Sequence, residues 1–205
     1  MCIIEPLDKI KFEVTQGCNR VRSSVKQVKE VFIINITIKL LDQSIEENLF
    51  KFELENRSFF DRIGLSRGDS YYDSNNFQTI IKELIEEQEK DLVYMYLITD
   101  YYDNIIGRVN LISVMRGSFN KAELGYRIGE KHQGKGYATS AVKLVLDEAV
   151  NKLKLHRIEA GTAPDNIGSQ IVLVKNGFQF VGRYSKYVYQ NGKWHDSLNF
   201  EKILD

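Results

Sequence analysis

Residues 133 to 138 form a short basic segment whose residue types suit phosphate binding: Gln133, Gly134, Lys135, Gly136, Tyr137 and Ala138. The two glycines carry no Cβ, so the backbone there can adopt unusual dihedral angles and come close to a ligand. The apolar pattern that follows predicts a helix from about Gly136 to Leu153, and unpaired amides at a helix N-terminus attract anions. A plain strand-to-helix turn is the alternative, because such short patterns recur by chance.

The stretch from Gly129 to Gly136 also comes close to the P-loop of nucleoside triphosphatases, which is Gly-x-x-x-x-Gly-Lys followed by Ser or Thr. The hydroxyl of that last residue ligates Mg²⁺, and Gly136 has no hydroxyl to offer. The sequence therefore argues against a triphosphatase.

The residues around this turn resemble the GNAT family of acyl-CoA N-acyltransferases. That family binds the pyrophosphate of acetyl-CoA with a Gln/Arg-x-x-Gly-x-Gly/Ala turn, which residues 133 to 138 fit. Three downstream blocks look like the RimJ/RimL branch, which acetylates the N-termini of ribosomal proteins: Leu155-His156-Arg157-Ile158-Glu159-Ala160, Asp165-Asn166-Ile167-Gly168-Ser169 and Lys175-Asn176-Gly177-Phe178. The similarity is dense from Ile106 to the C-terminus and weaker from Ile38 to Tyr72.

The resemblance implies an enzyme that transfers an acetyl group from acetyl-CoA to a primary amine. It also implies that two strands, Glu123 to Ile128 and His156 to Thr162, lie parallel and splay apart around the acyl-pantetheine. The amide of Ile128 would then support the developing oxyanion. The implied contacts with acetyl-CoA are Tyr126, Ile128, Gln133, Gly134, Lys135, Gly136, Tyr137, Ala138, Asn166 and Ser169.

Ser169 is the predicted proton donor to the departing CoA thiolate. Many GNAT enzymes use a tyrosine four residues before the Gly of the Gly-Phe pair, but that position here is Leu173. Ser169 matches a serine of the RimJ/RimL branch that can face the CoA sulfur. The alternative is a helix cap or first-turn hydroxyl that bonds the local backbone.

Glu123 and Glu159 are the candidate bases, because they lie on the two strands that flank the predicted gap and could take a proton directly or through water. Both could equally be ordinary surface or structural carboxylates. An N-terminal α-amine has a pKa near 8 and is already partly neutral, so it needs little help from a base. In some relatives a carboxylate precedes the tyrosine of the last hairpin, but here that residue is Val188.

Asn56, Arg57 and Phe60 are the predicted acceptor-binding residues, since the resemblance implies a substrate lip near the first helix. The acceptor stays open between a ribosomal-protein N-terminus and a small amine such as a polyamine or an aminoglycoside. A non-catalytic acyl-CoA-binding module is a further alternative, which Leu173 and Val188 leave open.

The composition is that of a compact cytoplasmic protein. A chain of 205 residues with 43% hydrophobic residues can bury one substantial core. Its 28 basic and 28 acidic residues balance, so nucleic acid is not an expected partner. No signal peptide or membrane-spanning run is evident, and Cys2 and Cys18 suit a reducing compartment. His132, His156 and His195 lack metal-ligand spacing, so no metal is expected. Both a monomer and a homodimer remain possible.

Periodicity and turn signals predict an α/β (α+β) domain from residue 33 to 205, in the element order of the GNAT fold. It contains a mixed, mostly antiparallel seven-stranded sheet with splayed central parallel strands, flanked by helices. The resemblance does not extend to residues 1 to 32, which are interpreted as an N-terminal extension of open role. Val31 to Leu40 is the predicted first strand.

Local signals also predict where the first helices and the last turn lie. Ser44 and Glu47 form a capping-box pattern for a helix that ends near Leu54, and Ser74 is the predicted cap of the next helix. Asn191 and Gly192 predict a tight hairpin turn between the last two strands.

Overall fold

The computed structural model describes residues 35 to 190 and 192 to 204. The predicted N-terminal extension and residues 31 to 34 of the predicted first strand lie outside these residues. The described elements are β1 (Thr37–Leu40), α1 (Glu46–Arg62), α2 (Ser74–Glu89), β2 (Tyr94–Thr99), β3 (Ile105–Met115), β4 (Lys121–Ile128), α3 (Tyr137–Asn151), β5 (Arg157–Thr162), α4 (Ile167–Lys175), β6 (Gln179–Gln190) and β7 (Lys193–Ile203). This order confirms the predicted one. None of the described helices has the length and apolar character that crossing a membrane requires.

The seven strands form one mixed sheet in the order β1-β2-β3-β4-β5-β7-β6. Every neighbouring pair is antiparallel except β4 and β5, which run parallel. Their pairing begins at Lys121↔Arg157 and stops at Glu123↔Glu159. Beyond that point β4 continues beside β3 and β5 continues beside β7. The predicted splay is therefore confirmed, and it starts after Glu123 and Glu159.

Two apolar clusters lie on opposite faces of the sheet, because alternate residues of β2 belong to different clusters. On one face α3 buries a helical stripe together with part of α4; the α3 residues are Ala141, Val142, Val145, Leu146 and Ala149. On the other face α1 and α2 bury Leu49, Phe52, Phe60, Phe77 and Ile81. Each such burial stabilises the fold by about 1.5–3 kcal/mol for a large side chain. The splayed strands are thus held between two helical layers.

The predicted helix caps are displaced by one or two residues. The predicted cap Ser44 does not cap α1. A short 3₁₀ turn precedes that helix, and the carboxylate of Asp42 caps this turn by accepting from Ser44 N at 2.8 Å. The carboxylate of Asp73, not Ser74, caps α2 by accepting from Asn76 N at 2.9 Å. Aspartate caps as well as serine does, so each neighbouring aspartate competed with the predicted residue.

Of two further local predictions, the end of α1 is wrong and the hairpin turn is confirmed. Helix α1 ends at Arg62 and not near Leu54, because its apolar stripe continues to the fully buried Phe60. The hairpin turn is confirmed by the pairing of Gln190 with Lys193 and by the left-handed backbone of Gly192, at φ 77°. Asn191 lies outside the described residues.

A buried ionic cluster links α1 to the strands beside the gap. Glu53 is fully buried, and its Oε2 accepts from Arg127 Nη1 at 3.0 Å. Its Oε1 lies 2.9 Å from Arg108 Nε, an ionic contact without hydrogen-bond alignment. The Arg127 guanidinium also lies over the ring of Phe60, at 4.7 Å from the centroid. Burial, together with nearby Arg108, lowers the pKa of Arg127 to about 10, so it remains charged at neutral pH.

Replacing Glu53 by glutamine should destabilise the protein strongly, because Glu53→Gln leaves two buried guanidinium groups without a counter-charge. We expect the free energy of unfolding, measured by urea denaturation, to fall by about 3–5 kcal/mol. Lys39→Ala is the control, since it removes an ion pair with Asp103 whose side chains are 45% and 69% exposed. That variant should lose less than about 1 kcal/mol. Equal losses in the two variants would contradict a structural role for the cluster.

Candidate active site

The predicted phosphate turn joins β4 to α3 through two left-handed glycines. Gly134 has φ 72° and Gly136, the N-cap of α3, has φ 82°. The Gln133 side chain donates from Nε2 to Ile128 O at 2.6 Å and ties the turn to the end of β4. No side chain caps α3, so its first amides keep their capacity to bind an anion.

The charges around the turn favour an anionic ligand. Lys131 lies two residues before the turn, and Lys135 lies within it between the two glycines. Burial, and then the neighbouring Lys135, hold the pKa of His132 below its ordinary value, so this imidazole is neutral at pH 7. The ring of His132 lies edge-on to that of Tyr137, with centroids 6.0 Å apart. The positive charge at this end therefore comes from lysines and from helix amides.

The gap between β4 and β5 opens into a cavity of about 1130 Å³. The phosphate turn, the first turn of α3, the splayed strands and the start of α4 all line it. The last turn of α1, the residues that follow it and the β6–β7 hairpin line it as well. One cavity is therefore bordered both by an anion-binding turn and by a surface formed by α1 and the hairpin.

Backbone groups of β4 face this gap. Just after β4, Gly129 N donates to Ile106 O of β3 at 2.9 Å. Just before β4, Asn120 O accepts from His156 N, the residue before β5, at 2.7 Å. Because bonding directions alternate along a strand, even-numbered residues of β4 direct their amides toward β5. Pairing with β5 stops at Glu123, so the amides of Tyr126 and Ile128 have no partner on that strand. The geometry suits the predicted oxyanion role of Ile128.

Ser169 lies in the first turn of α4, where its hydroxyl is not the helix cap. The cap is Asn166, whose Oδ1 accepts from Ser169 N at 3.0 Å. The Ser169 hydroxyl instead contacts the phenol of Tyr126, with the two oxygens 3.0 Å apart. All three side chains line the cavity. The predicted cofactor contacts Tyr126, Asn166 and Ser169 are thus brought together.

The two candidate bases face each other across β4 and β5, at the last paired position. Glu159 Oε2 accepts from Lys121 Nζ at 2.7 Å, so this carboxylate is engaged in an ion pair. Within the described part of the chain, Glu123 has neither a hydrogen bond nor an ion pair through its side chain, and it is exposed to the cavity. Glu123 is therefore the freer of the two to accept a proton.

The predicted acceptor residues are divided between the cavity and the surrounding structure. Phe60 lines the cavity. The amide of Asn56 donates to Phe52 O and accepts from Glu130 N, both at 2.9 Å, so it ties α1 to the residues after β4. Arg57 binds Asp69 and lies over an aromatic ring outside the cavity. The acceptor roles of Asn56 and Arg57 stay predictions.

Several cavity residues were not singled out from the sequence as parts of the site. Arg127 lines the cavity, and the hairpin contributes Gln190 and His195. The sequence feature that could have identified Arg127 is its position as a charged residue between apolar neighbours in a predicted strand. Nothing local marks the hairpin residues, which reach the cavity through the pairing of β7 with β5. Among residues 35 to 190 and 192 to 204, no group of His, Cys, Asp or Glu side chains is arranged to hold a metal ion.

Comparison with known proteins agrees with this geometry. The model of the acetyltransferase (GNAT) domain matches residues 52–179. The chain is 44% identical over 152 residues to the "Probable N-acetyltransferase YjcK" of Bacillus subtilis, covering 74% of this chain and 83% of that one. It is 28% identical over 178 residues to the ribosomal protein uS5-alanine N-acetyltransferase of Escherichia coli, covering 86% and 91%.

Two solved structures have the same fold. The ribosomal-protein-S5-alanine acetyltransferase of Vibrio fischeri superposes with a TM-score of 0.78 at 27% identity, covering 83% of this chain and 94% of that one. RimL, a ribosomal alpha-N-protein acetyltransferase in complex with coenzyme A, superposes with a TM-score of 0.77 at 20% identity, covering 83% and 95%. The domain match spans more than half of the chain, so this protein belongs to the GNAT family and is an N-acetyltransferase.

Proposed function

We propose that this enzyme transfers the acetyl group of acetyl-CoA to the N-terminal α-amine of a protein, with ribosomal proteins as the acceptor class. The observation that carries the proposal is the single cavity, which is lined both by an anion-binding turn and by an α1–hairpin surface. The acceptor class is supported by two relatives whose names specify the alanine of ribosomal protein S5.

Acetyl-CoA fits the residues that line the first part of the cavity. The glycines of the turn and the uncapped start of α3 can hold its pyrophosphate, since both present backbone amides without a side-chain obstacle. The unpaired edge of β4 can bond the pantetheine, because amides that lack a strand partner need another acceptor. RimL, with the same fold, binds coenzyme A.

The chain supplies three further groups for the transfer. The amide of Ile128 would bond the carbonyl oxygen as negative charge develops on it. Glu123 would take the proton of the attacking amine, directly or through water. Ser169 would donate to the sulfur as it leaves. These roles follow from the positions of the three groups along the wall of one cavity.

A small polyamine is the second candidate acceptor. The feature that favours it is a row of carboxylates in register across three strands, Glu123 on β4, Glu159 on β5 and Glu201 on β7. All three line the cavity, and Lys121 and Arg157 neutralise only the last two. A cationic acceptor could bind beside the remaining carboxylate.

Peptides and polyamines can be distinguished by free-thiol release from acetyl-CoA. We expect release with a peptide that begins with a free alanine and none with the same peptide already acetylated at its N-terminus. Because only a neutral amine attacks, kcat/KM for an α-amine should rise with pH and level off above about 8. A rate that keeps rising toward about pH 10, with spermidine as the better acceptor, would favour the polyamine. No release with any free amine would contradict the proposal.

Gly134→Ala tests the phosphate turn. Gly134 has φ 72° and open space around its Cβ position, so alanine would strain the backbone without a steric clash. The free protein should relieve this strain of about 1–2 kcal/mol by moving the backbone out of its binding conformation, which should weaken coenzyme A binding, measured by calorimetry, by about tenfold. Gly117→Ala is the matched control, with φ 69°, equally open space and a position outside the cavity. Equal affinities in the two variants would exclude the turn as the phosphate site.

A further inference from the structure

Tyr126 and Ser169 come from different elements and meet in the wall of the cavity. Tyr126 lies on the splayed part of β4 and Ser169 in the first turn of α4, and their hydroxyl oxygens are 3.0 Å apart. A phenol ionises with an ordinary pKa near 10 and is a stronger hydrogen-bond donor than an alkyl alcohol. Tyr126 therefore donates and Ser169 Oγ accepts.

This bond leaves the proton of Ser169 available to the cavity. The amide of Ser169 is bonded by Asn166. Within the described residues, the Ser169 hydroxyl has no hydrogen bond other than the one with Tyr126. Both hydroxyl-bearing residues line the cavity. The phenol thus fixes the orientation of the serine while the serine proton stays free for a ligand.

We propose that Tyr126 is a positioning residue that holds Ser169 toward the CoA sulfur and returns a proton to it. The proposal rests on the proposed acetyl transfer. In that step the amine nitrogen bonds to the thioester carbon, and the carbon–sulfur bond breaks with its electron pair going to sulfur. Sulfur takes the proton of Ser169, Ser169 takes that of Tyr126, and Tyr126 recovers one from solvent. The amine releases one proton to Glu123, which passes it to solvent, so protons balance.

The energetic reason is the acidity of the two hydroxyls. An alkyl alcohol is a far weaker acid than a thiol, so Ser169 alone would be left as an unfavourable alkoxide. A phenol, with an ordinary pKa near 10, lies much closer to a thiol, with one near 8.5. Burial raises the pKa of Tyr126, and its bond to Ser169 opposes this, so the phenol is protonated at neutral pH.

The phenol comes from β4, since α4 offers none. Leu173, one turn after Ser169, lines the cavity but is an apolar residue of the cluster under α3 with no proton to donate. Tyr126 reaches Ser169 from the part of β4 beyond Glu123, where the pairing with β5 has stopped.

The test compares Tyr126→Phe and Ser169→Ala in acetyl transfer at saturating acceptor. We expect kcat to fall by about 100-fold in Ser169→Ala and by about tenfold in Tyr126→Phe, within the range of general acid catalysis. The KM for acetyl-CoA should change by less than about twofold in either variant, because the phenol acts through the serine. The double variant should be no slower than Ser169→Ala, since the two residues act as one unit.

Tyr94→Phe is the matched control. It removes a phenol that donates to Asp91 at 2.6 Å and lies outside the cavity, so it should leave kcat unchanged. Thermal unfolding of all variants separates a loss of catalysis from a loss of folding.

The outcomes distinguish this proposal from the proposed function. If Ser169→Ala lowers kcat and Tyr126→Phe does not, the role of Tyr126 is overturned and acetyl transfer stands. If Tyr126→Phe lowers kcat and Ser169→Ala does not, the phenol acts directly and the role through serine is overturned. Additive losses in the double variant would also overturn it. Absence of thiol release by the unaltered enzyme would remove the proposed function itself.

Discussion

The short parallel pairing of β4 with β5 is the constraint on which the rest of this structure depends. A strand in the middle of a sheet normally bonds on both sides, and buried backbone groups without partners cost free energy. Here the pairing stops at Glu123 and Glu159, and both strands continue apart for several residues. The amides of Tyr126 and Ile128 therefore have no partner on β5. The cavity is a consequence of incomplete sheet formation.

Such a gap needs support from elsewhere, because two separating strands cannot stabilise each other. On one face α3 packs against the sheet below the gap. On the other face α1 packs its aromatic residues and holds β3 and β4 through the buried carboxylate of Glu53. Removing one member of a buried ion pair costs much free energy, whereas forming the pair gains little. This cluster therefore constrains geometry more than it adds stability. It keeps Arg127, and with it β4, at the edge of the cavity.

The chemistry along the cavity follows from which elements end beside the gap. Helix α3 contributes its N-terminus and hence amides and a positive dipole, and α4 contributes Ser169 from its first turn. The strands contribute carboxylates at the closed end of the splay, where Glu123 and Glu159 are still paired in register. A hydroxyl and carboxylates thus line the same cavity. Acetyl transfer would need both kinds of group close to one carbon, because the attacking nitrogen and the departing sulfur are bonded to the same carbonyl carbon in the tetrahedral intermediate.

The element order, the extent of α3 and the glycine turn could be predicted from the sequence, because hydrophobic period and glycine chemistry are local properties. The helix predicted from about Gly136 to Leu153 forms as α3, Tyr137–Asn151, and the two glycines of the turn have left-handed backbones. Local reasoning failed where neighbours compete, as when Asp42 and Asp73 capped helices in place of adjacent serines. Other contacts could not be predicted from the sequence. Tyr126 meets Ser169, and Glu159 is paired with Lys121 while Glu123 is not. Asn56 supports the turn from outside the cavity. Those contacts join residues 38 to 74 positions apart, so only the packing of helices and strands onto one another brings them together.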